Sequence, residues 1–229
     1  MKLICLGANN PETIRVINAI KTKDPSFQFM GFIDNDECKW GTKFCGYPVL
    51  GGTDLVSDFS KKGVFFCNLI TRDCITRYET TKAIVEHGGQ LTNLVHPSVN
   101  LEMVHIGVGN YIQENVILQA GVSIGNNSSI TIGSPIGHET AIGNSVFIAA
   151  GCNIAGKTFV DDGVFIGTGA TIIPRITIGK WSIIGAGAVI IRNVPPSSVV
   201  VGNPGKIIKS IDDNRIPKVH VDMSNKNKI

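Results

Sequence analysis

Read at every sixth position from residue 106, the chain gives Ile106, Ile112, Leu118, Ile124, Ile130, Ile136, Ile142, Ile148, Ile154, Val160, Ile166, Ile172, Ile178, Ile184 and Ile190, fifteen aliphatic residues without an insertion. Glycine often follows, as at Gly107, Gly125, Gly137, Gly143, Gly167, Gly179 and Gly185, and a small or β-branched residue tends to come four places after each. A strict period of six fits neither an amphipathic helix nor a hairpin strand. It predicts a parallel β-solenoid, in which short strands stack and turn at regular corners. After Ile190 the next position in the period is Pro196, where the stripe is expected to end. Loops are then expected at 194–196 and 202–205, a short helix or strand at 206–211, and a polar tail with a loose end.

Upstream of the stripe the pattern changes. Apolar runs at 2–6, 29–33, 64–69 and 91–95 read as strands, with a shorter extended piece at 47–50. Pro11 suits the first turn of a helix whose buried stripe is Ile14, Ile17 and Ile20, and a second helix spans about 72–86, stopped by Gly88-Gly89. Strands alternating with helices predict a small parallel α/β, Rossmann-like domain. The expected organisation is therefore an α/β domain over 1–95, a solenoid over 96–208 and a tail over 209–229.

With 43% hydrophobic and 17% charged residues among 229, the chain reads as globular. A net charge of +3 is too small to argue for nucleic acid, and between Ile106 and Ile191 the only basic residues are Lys157, Arg175 and Lys180. No apolar run reaches the roughly eighteen residues of a membrane span, and the start, MKLICLGANN, lacks the features of a signal peptide. Six cysteines without C-x-x-C spacing fit a reduced, cytoplasmic protein.

The sixfold period resembles the hexapeptide-repeat acyltransferases, whose left-handed β-helix has three six-residue sides per turn. The stripe then makes five coils of eighteen residues. The front domain, with Gly31-Phe32-Ile33-Asp34-Asn35 followed by Gly46-Tyr47-Pro48-Val49-Leu50-Gly51, resembles the sialic-acid O-acetyltransferase and bacillosamine N-acetyltransferase group. That resemblance implies a front domain holding a nucleotide-activated sugar. The turn after the first strand would contact the sugar-phosphate part, and acidic residues after the second strand the base or ribose. Gly7, Asn9, Asn10, Asp34 and Asn35 are the candidates, with Thr71 and Arg72. The full G-x-G-x-x-G is absent, which argues against a dinucleotide. The group's turn usually reads G-x-G-G-H-G, and Pro11 stands here at the histidine position, so either another residue such as Arg72 fills that role or the donor site differs. Asn9 and Asn10 as helix caps, and 34–36 as a plain solvated turn, are the competing readings.

Acetyl transfer from a thioester needs a base near the acceptor, a donor for the oxyanion, and alignment. Of five histidines, His87 ends a helix, His96 and His105 precede the coils and His220 lies in the tail. His138 follows Ile136-Gly137 at a solenoid corner, so its ring is expected to project outward, with Glu139 placed to orient it. Gly137-His138-Glu139 matches the G-H-E of the sugar acetyltransferases, which implies that His138 is the base. Eighteen residues on, Gly156 lies about one strand spacing, roughly 5 Å, above it. Its N–H is the candidate oxyanion donor, and Gly156, Lys157, Gly185, Ala186 and Lys206 are candidates for lining a coenzyme A groove.

The resemblance further implies a homotrimer, acetyl-CoA as co-substrate and no metal. Phe147, Phe159 and Phe165 fall outside the inward stripe, as interface residues or as exposed aromatics. Three rivals are weighed. An O-acetyltransferase would use the same His–Glu pair. A metal-dependent β-helix of the carbonic anhydrase type needs three histidines, whereas only His138 lies inside the coils. A non-catalytic scaffold gives no reason for a His-Glu pair at one corner. The expectation is acetyl-CoA-dependent N-acetylation of a nucleotide-linked amino sugar, a 4-amino-4,6-dideoxyhexose for surface glycans such as O-antigen.

Overall fold

A computed structural model describes residues 1–71, 73–212, 214, 216, 217 and 223. Arg72 and His220 lie outside the described residues.

The front domain opens with β1 (Lys2–Leu6), α1 (Glu12–Lys23) and β2 (Gln28–Ile33), continues through a hairpin of β3 (Lys43–Phe44) and β4 (Tyr47–Pro48), and then runs α2 (Val56–Ser60), β5 (Val64–Asn68), α3 (Cys74–Glu86) and β6 (Gln90–Leu91). The four strands of its main sheet are parallel, in the order β2-β1-β5-β6. Leu3, Ile4, Cys5 and Leu6 are all fully buried, as a continuous apolar run demands when both faces of a sheet are covered. In α1 the buried residues are Thr13, Val16 and Ile17. The expected stripe of Ile14, Ile17 and Ile20 is thus rotated by about a residue, with Ile14 and Ile20 only half-buried. The helix expected from about residue 72 is α3, which starts at Cys74, where the Asp73 side chain caps it by accepting the Thr76 N–H at 2.7 Å.

Beyond β6, two-residue strands stack into the left-handed β-helix expected from the sequence. Each ends on a residue of the aliphatic stripe, and pairing joins residues eighteen apart, as at Ile124↔Ile142, Ile130↔Ile148 and Ile136↔Ile154. Three flat faces result. One runs through the strands at Ile117, Pro135, Asn153, Thr171 and Val189, here called the Pro135 face, and a second through His105, Ser123, Ala141, Phe159 and Thr177, the His105 face. The third, through Tyr111, Ser129, Phe147, Phe165 and Ile183, is covered by the front domain. The stripe fills the prism, and Ile112, Ile136, Ile148, Ile166, Ile172, Ile178 and Ile184 have no exposed surface. Each such side chain contributes about 1.5–3 kcal/mol of burial.

Both ends of the prism depart from the sixfold count. At the lower end, β7 (Leu94–Val95), placed from sequence in the first domain, pairs parallel with Tyr111–Ile112 and already belongs to the covered face. At the upper end the stripe does not stop at Ile190. Val194 bridges Ile178 and Val200 pairs with Ile184, both sixteen residues on, so the last coil is two residues short. Val194 and Val200 are buried and continue the stripe. A strand at Lys206–Ser210 then folds back antiparallel on Ser198–Val201.

The junction between the domains is partly polar. The Arg77 side chain, fully buried, donates from Nε to the Asn127 carbonyl at 2.6 Å and from Nη1 to the Ile70 carbonyl at 3.0 Å. Burial pushes its pKa down to about 10. Beside it Asn68 donates to Thr81 Oγ1, which donates to Asn127 Oδ1, a chain of 2.8 Å bonds that ties the end of β5 to the coil. Tyr78 packs edge-on to Trp181, and Phe147 stacks on Phe165 at 4.9 Å. Phe147 is buried and Phe165 half-buried, both packed in the core that the front domain shares with the coils, so neither is the exposed aromatic considered from sequence. Phe159 alone of the three stands exposed, on the His105 face.

Candidate active site

His138 sits at the edge where the Pro135 face turns into the His105 face, between the strands Pro135–Ile136 and Ala141–Ile142. The corner is built from Gly137 and Glu139. A Cβ on Gly137 would collide with the backbone at Gly156, and Glu139 takes a left-handed φ of 56°. The imidazole points outward, its side chain 55% exposed, and its Nδ1 lies 3.1 Å from Glu139 Oε1. The other carboxylate oxygen, Oε2, is 3.6 Å from Lys157 Nζ. The hydrogen bond to His138 and the Lys157 charge hold the Glu139 carboxyl below its ordinary pKa, so it stays ionised beside the ring.

With Nδ1 engaged by the carboxylate, Nε2 is the ring nitrogen left to move a proton. It lies against Gly156, where an added Cβ would be 2.8 Å from both Nε2 and Cδ2. The Gly156 N–H donates to no group among the described residues. An imidazole nitrogen and a vacant N–H donor are therefore adjacent, an arrangement suited to acyl transfer. Beneath the ring, Gln119 Oε1 accepts the His138 backbone N–H at 2.9 Å. Sequence reasoning missed Gln119, because a corner bond reaching nineteen residues back leaves no mark on a sixfold apolar pattern.

The front-domain candidates also gather. Gly7, with φ of 104°, would place a Cβ 3.5 Å from Ile70, so the turn after β1 abuts the segment after β5 that carries Thr71. Asp34 is buried, and both its oxygens are in use. Oδ2 accepts the Ala8 N–H at 2.9 Å and the Lys39 ammonium at 2.8 Å, and Oδ1 the Asp36 N–H at 3.0 Å. Burial raises its pKa, yet these bonds and the Lys39 charge outweigh it and leave the carboxyl below its ordinary value. Asp34 thus clamps the turn shut, while Asn9, Asn10 and Asn35 remain exposed. Lys39, which the sequence did not single out, also donates to Asn9 Oδ1 at 2.6 Å.

Little of the α1 N-terminus remains open as an anion site. Asn10 Oδ1 accepts the Glu12 N–H, the Asn10 carbonyl takes Thr13, and Pro11 has no N–H. Among the described residues, the N–H groups of Asn9 and Asn10 stay without partners.

The proposed coenzyme A residues do not form one group within a protomer. Gly156 and Lys157 adjoin His138, but Gly185 and Ala186 turn from the covered face into the Pro135 face, a different edge of the prism. Lys206 goes with them, since it pairs with Val201 and a Cβ on Gly185 would meet the Val201 side chain at 2.8 Å. A cleft of about 500 Å³ opens between the start of α3 and the upper coils, lined by Asp73, Cys74, Trp181 and Lys209 among others, and none of the expected site residues that the structure describes borders it. No group of three or more metal-binding side chains is found among the described residues, and none of the described helices is long and apolar enough to cross a membrane.

Comparison with known proteins gives the site a context. A family model described as bacterial transferase hexapeptide (six repeats) matches residues 157–192. No curated protein sequence matches the chain. Among solved structures, PerB from Caulobacter crescentus, in complex with CoA and GDP-perosamine, is 26% identical with a TM-score of 0.81, covering 91% of this chain and 98% of its own. The acetyltransferase domain of PglB from Neisseria gonorrhoeae is 25% identical with a TM-score of 0.81, covering 90% and 99%. WeeI from Acinetobacter baumannii AYE is 28% identical with a TM-score of 0.76, covering 91% and 100%. The likeness thus spans both domains.

Proposed function

We propose that this chain, built as one of the hexapeptide-repeat sugar acyltransferases, moves acetyl from acetyl-CoA to the amine of a nucleotide-linked amino sugar. The observation that carries the reading is the corner itself, where a carboxylate holds one imidazole nitrogen and the other lies against a glycine with a vacant N–H. His138 Nε2 takes the proton as the amine attacks the thioester carbonyl, and Glu139 stabilises the imidazolium. The Gly156 N–H steadies the oxyanion; collapse of the tetrahedral intermediate breaks the C–S bond and returns the proton to the departing thiolate. The acceptor class follows the relatives, one solved with GDP-perosamine and CoA, and fits a 4-amino-4,6-dideoxyhexose carried to the front-domain turn.

The assembly we propose is a trimer. In one protomer the His138 edge is open, and the front domain lies on another face, with Gly185 and Lys206 at another edge. A neighbouring copy would supply the second wall and bring the coenzyme A and sugar contacts to the imidazole. The decisive experiment is an assay of CoA release with nucleotide-linked amino sugars, chosen after a thermal-shift screen of nucleotides. His138→Ala is expected to lower turnover at least tenfold with assembly intact, and near-normal rates would remove His138 from the mechanism.

A further inference from the structure

A glutamine pinned by one end, one coil below His138, leaves its other end unpaired among the described residues. Gln119 Oε1 accepts the His138 N–H at 2.9 Å, and this fixes the sense of the carboxamide, because only its oxygen can face a donor. Its Nε2 therefore points away from the backbone, and it donates to no group among the described residues. The molecule contains its own control. Gln113 makes the same corner bond, Oε1 to the Ile132 N–H at 3.0 Å, also nineteen residues on. There Nε2 donates to the Tyr111 hydroxyl at 3.0 Å, and the side chain is buried. Gln113 is fully used by the fold, whereas Gln119 is exposed and half used.

Position gives the spare donor a task. Along the edge Gln119 lies one coil below His138 and Gly156 one coil above, with the ring leaning toward Gly156. If the thioester oxygen of the donor sits at the Gly156 N–H, the acceptor sugar is left the other side of the imidazole, one coil down, where Gln119 lies. A neutral amide suits a sugar hydroxyl or ring oxygen. We propose that Gln119 is a sugar-positioning residue, its Nε2 donating to an oxygen of the acceptor sugar next to the reacting amine. This rests on the acetyl-transfer reading above.

Two variants test it by steady-state kinetics on the full-length protein, at the pH plateau of each enzyme. Gln119→Glu keeps an oxygen for the His138 N–H and removes the outward donor, while Gln119→Ala removes both. Both are expected to raise the KM for the amino sugar at least fivefold, with the KM for acetyl-CoA within twofold of wild type. Gln119→Glu should also keep the wild-type melting temperature. A role confined to capping the corner predicts instead that Gln119→Glu binds the sugar normally, and that result overturns the proposal. So does a parallel rise in both KM values. A wild type that acetylates no amino sugar sinks the parent reading and this one together; an active wild type whose sugar KM is indifferent to both variants sinks this one alone.

Discussion

At Gly156 it is contact with His138 rather than a left-handed φ that excludes a side chain, the imidazole first and the His138 carbonyl, 3.1 Å away, second. Gly156→Ala would bring a methyl 2.8 Å from the ring. With the N–H retained, the methyl is expected to push the imidazole aside and cut kcat/KM about a hundredfold, the scale of a misplacement of about 1 Å at a reacting centre, with little change in melting temperature; a calorimetric scan beside the CoA-release assay checks both. Asp34 gives a prediction in pH. Its folded pKa is depressed, so its stabilisation is present above the ordinary carboxylate pKa of about 3.9 and is lost as pH falls through the folded value. Asp34→Asn should therefore melt below wild type near neutral pH, and the two melting curves should converge below about pH 4. The placement of side chains was legible from sequence where a motif carries it, as at Gly137-His138-Glu139, where the imidazole projects outward beside the carboxylate. It was not legible where a partner comes from a distant turn, as Lys39 does for Asn9 and Asp34.

Among elements, the coil is the unit that the sequence displays most clearly. Every side of the prism demands one inward aliphatic residue, so packing alone writes the sixfold stripe. Ile154, 3% exposed and paired with Ile136 and Ile172, illustrates the cost of breaking it. Ile154→Ala should destabilise by about 2–5 kcal/mol, read as a lower denaturation midpoint, and should loosen the strand that leads into Gly156. The short last coil escaped the pattern because its two missing residues put Val194 and Val200 out of phase with the count. The burial of Phe147 escaped for another reason. An outward residue is covered or bare according to which face receives the front domain, and periodicity is silent on that.

For the whole molecule, the prism presents two faces that the front domain leaves uncovered, with Phe159 at 45% exposure on one and Ile117 at 59% on the other. Under the trimer reading these belong to contacts between copies. Phe159→Glu is expected to shift the protein from trimer toward monomer in sedimentation and to lower activity with it, though it adjoins neither His138 nor Gly156 in sequence. An unchanged mass would take Phe159 out of the interface. The eighteen-residue repeat has a last consequence, for how such a chain can change in length. Adding or deleting one complete turn away from the His138 edge keeps every later side chain on its proper wall, so growth comes in quanta. An indel that is not a whole number of turns, and that does not loop out at a corner, would swing all that follows to the wrong side, unless it fell at the tip, where the truncated final turn has only the returning strand above it to satisfy.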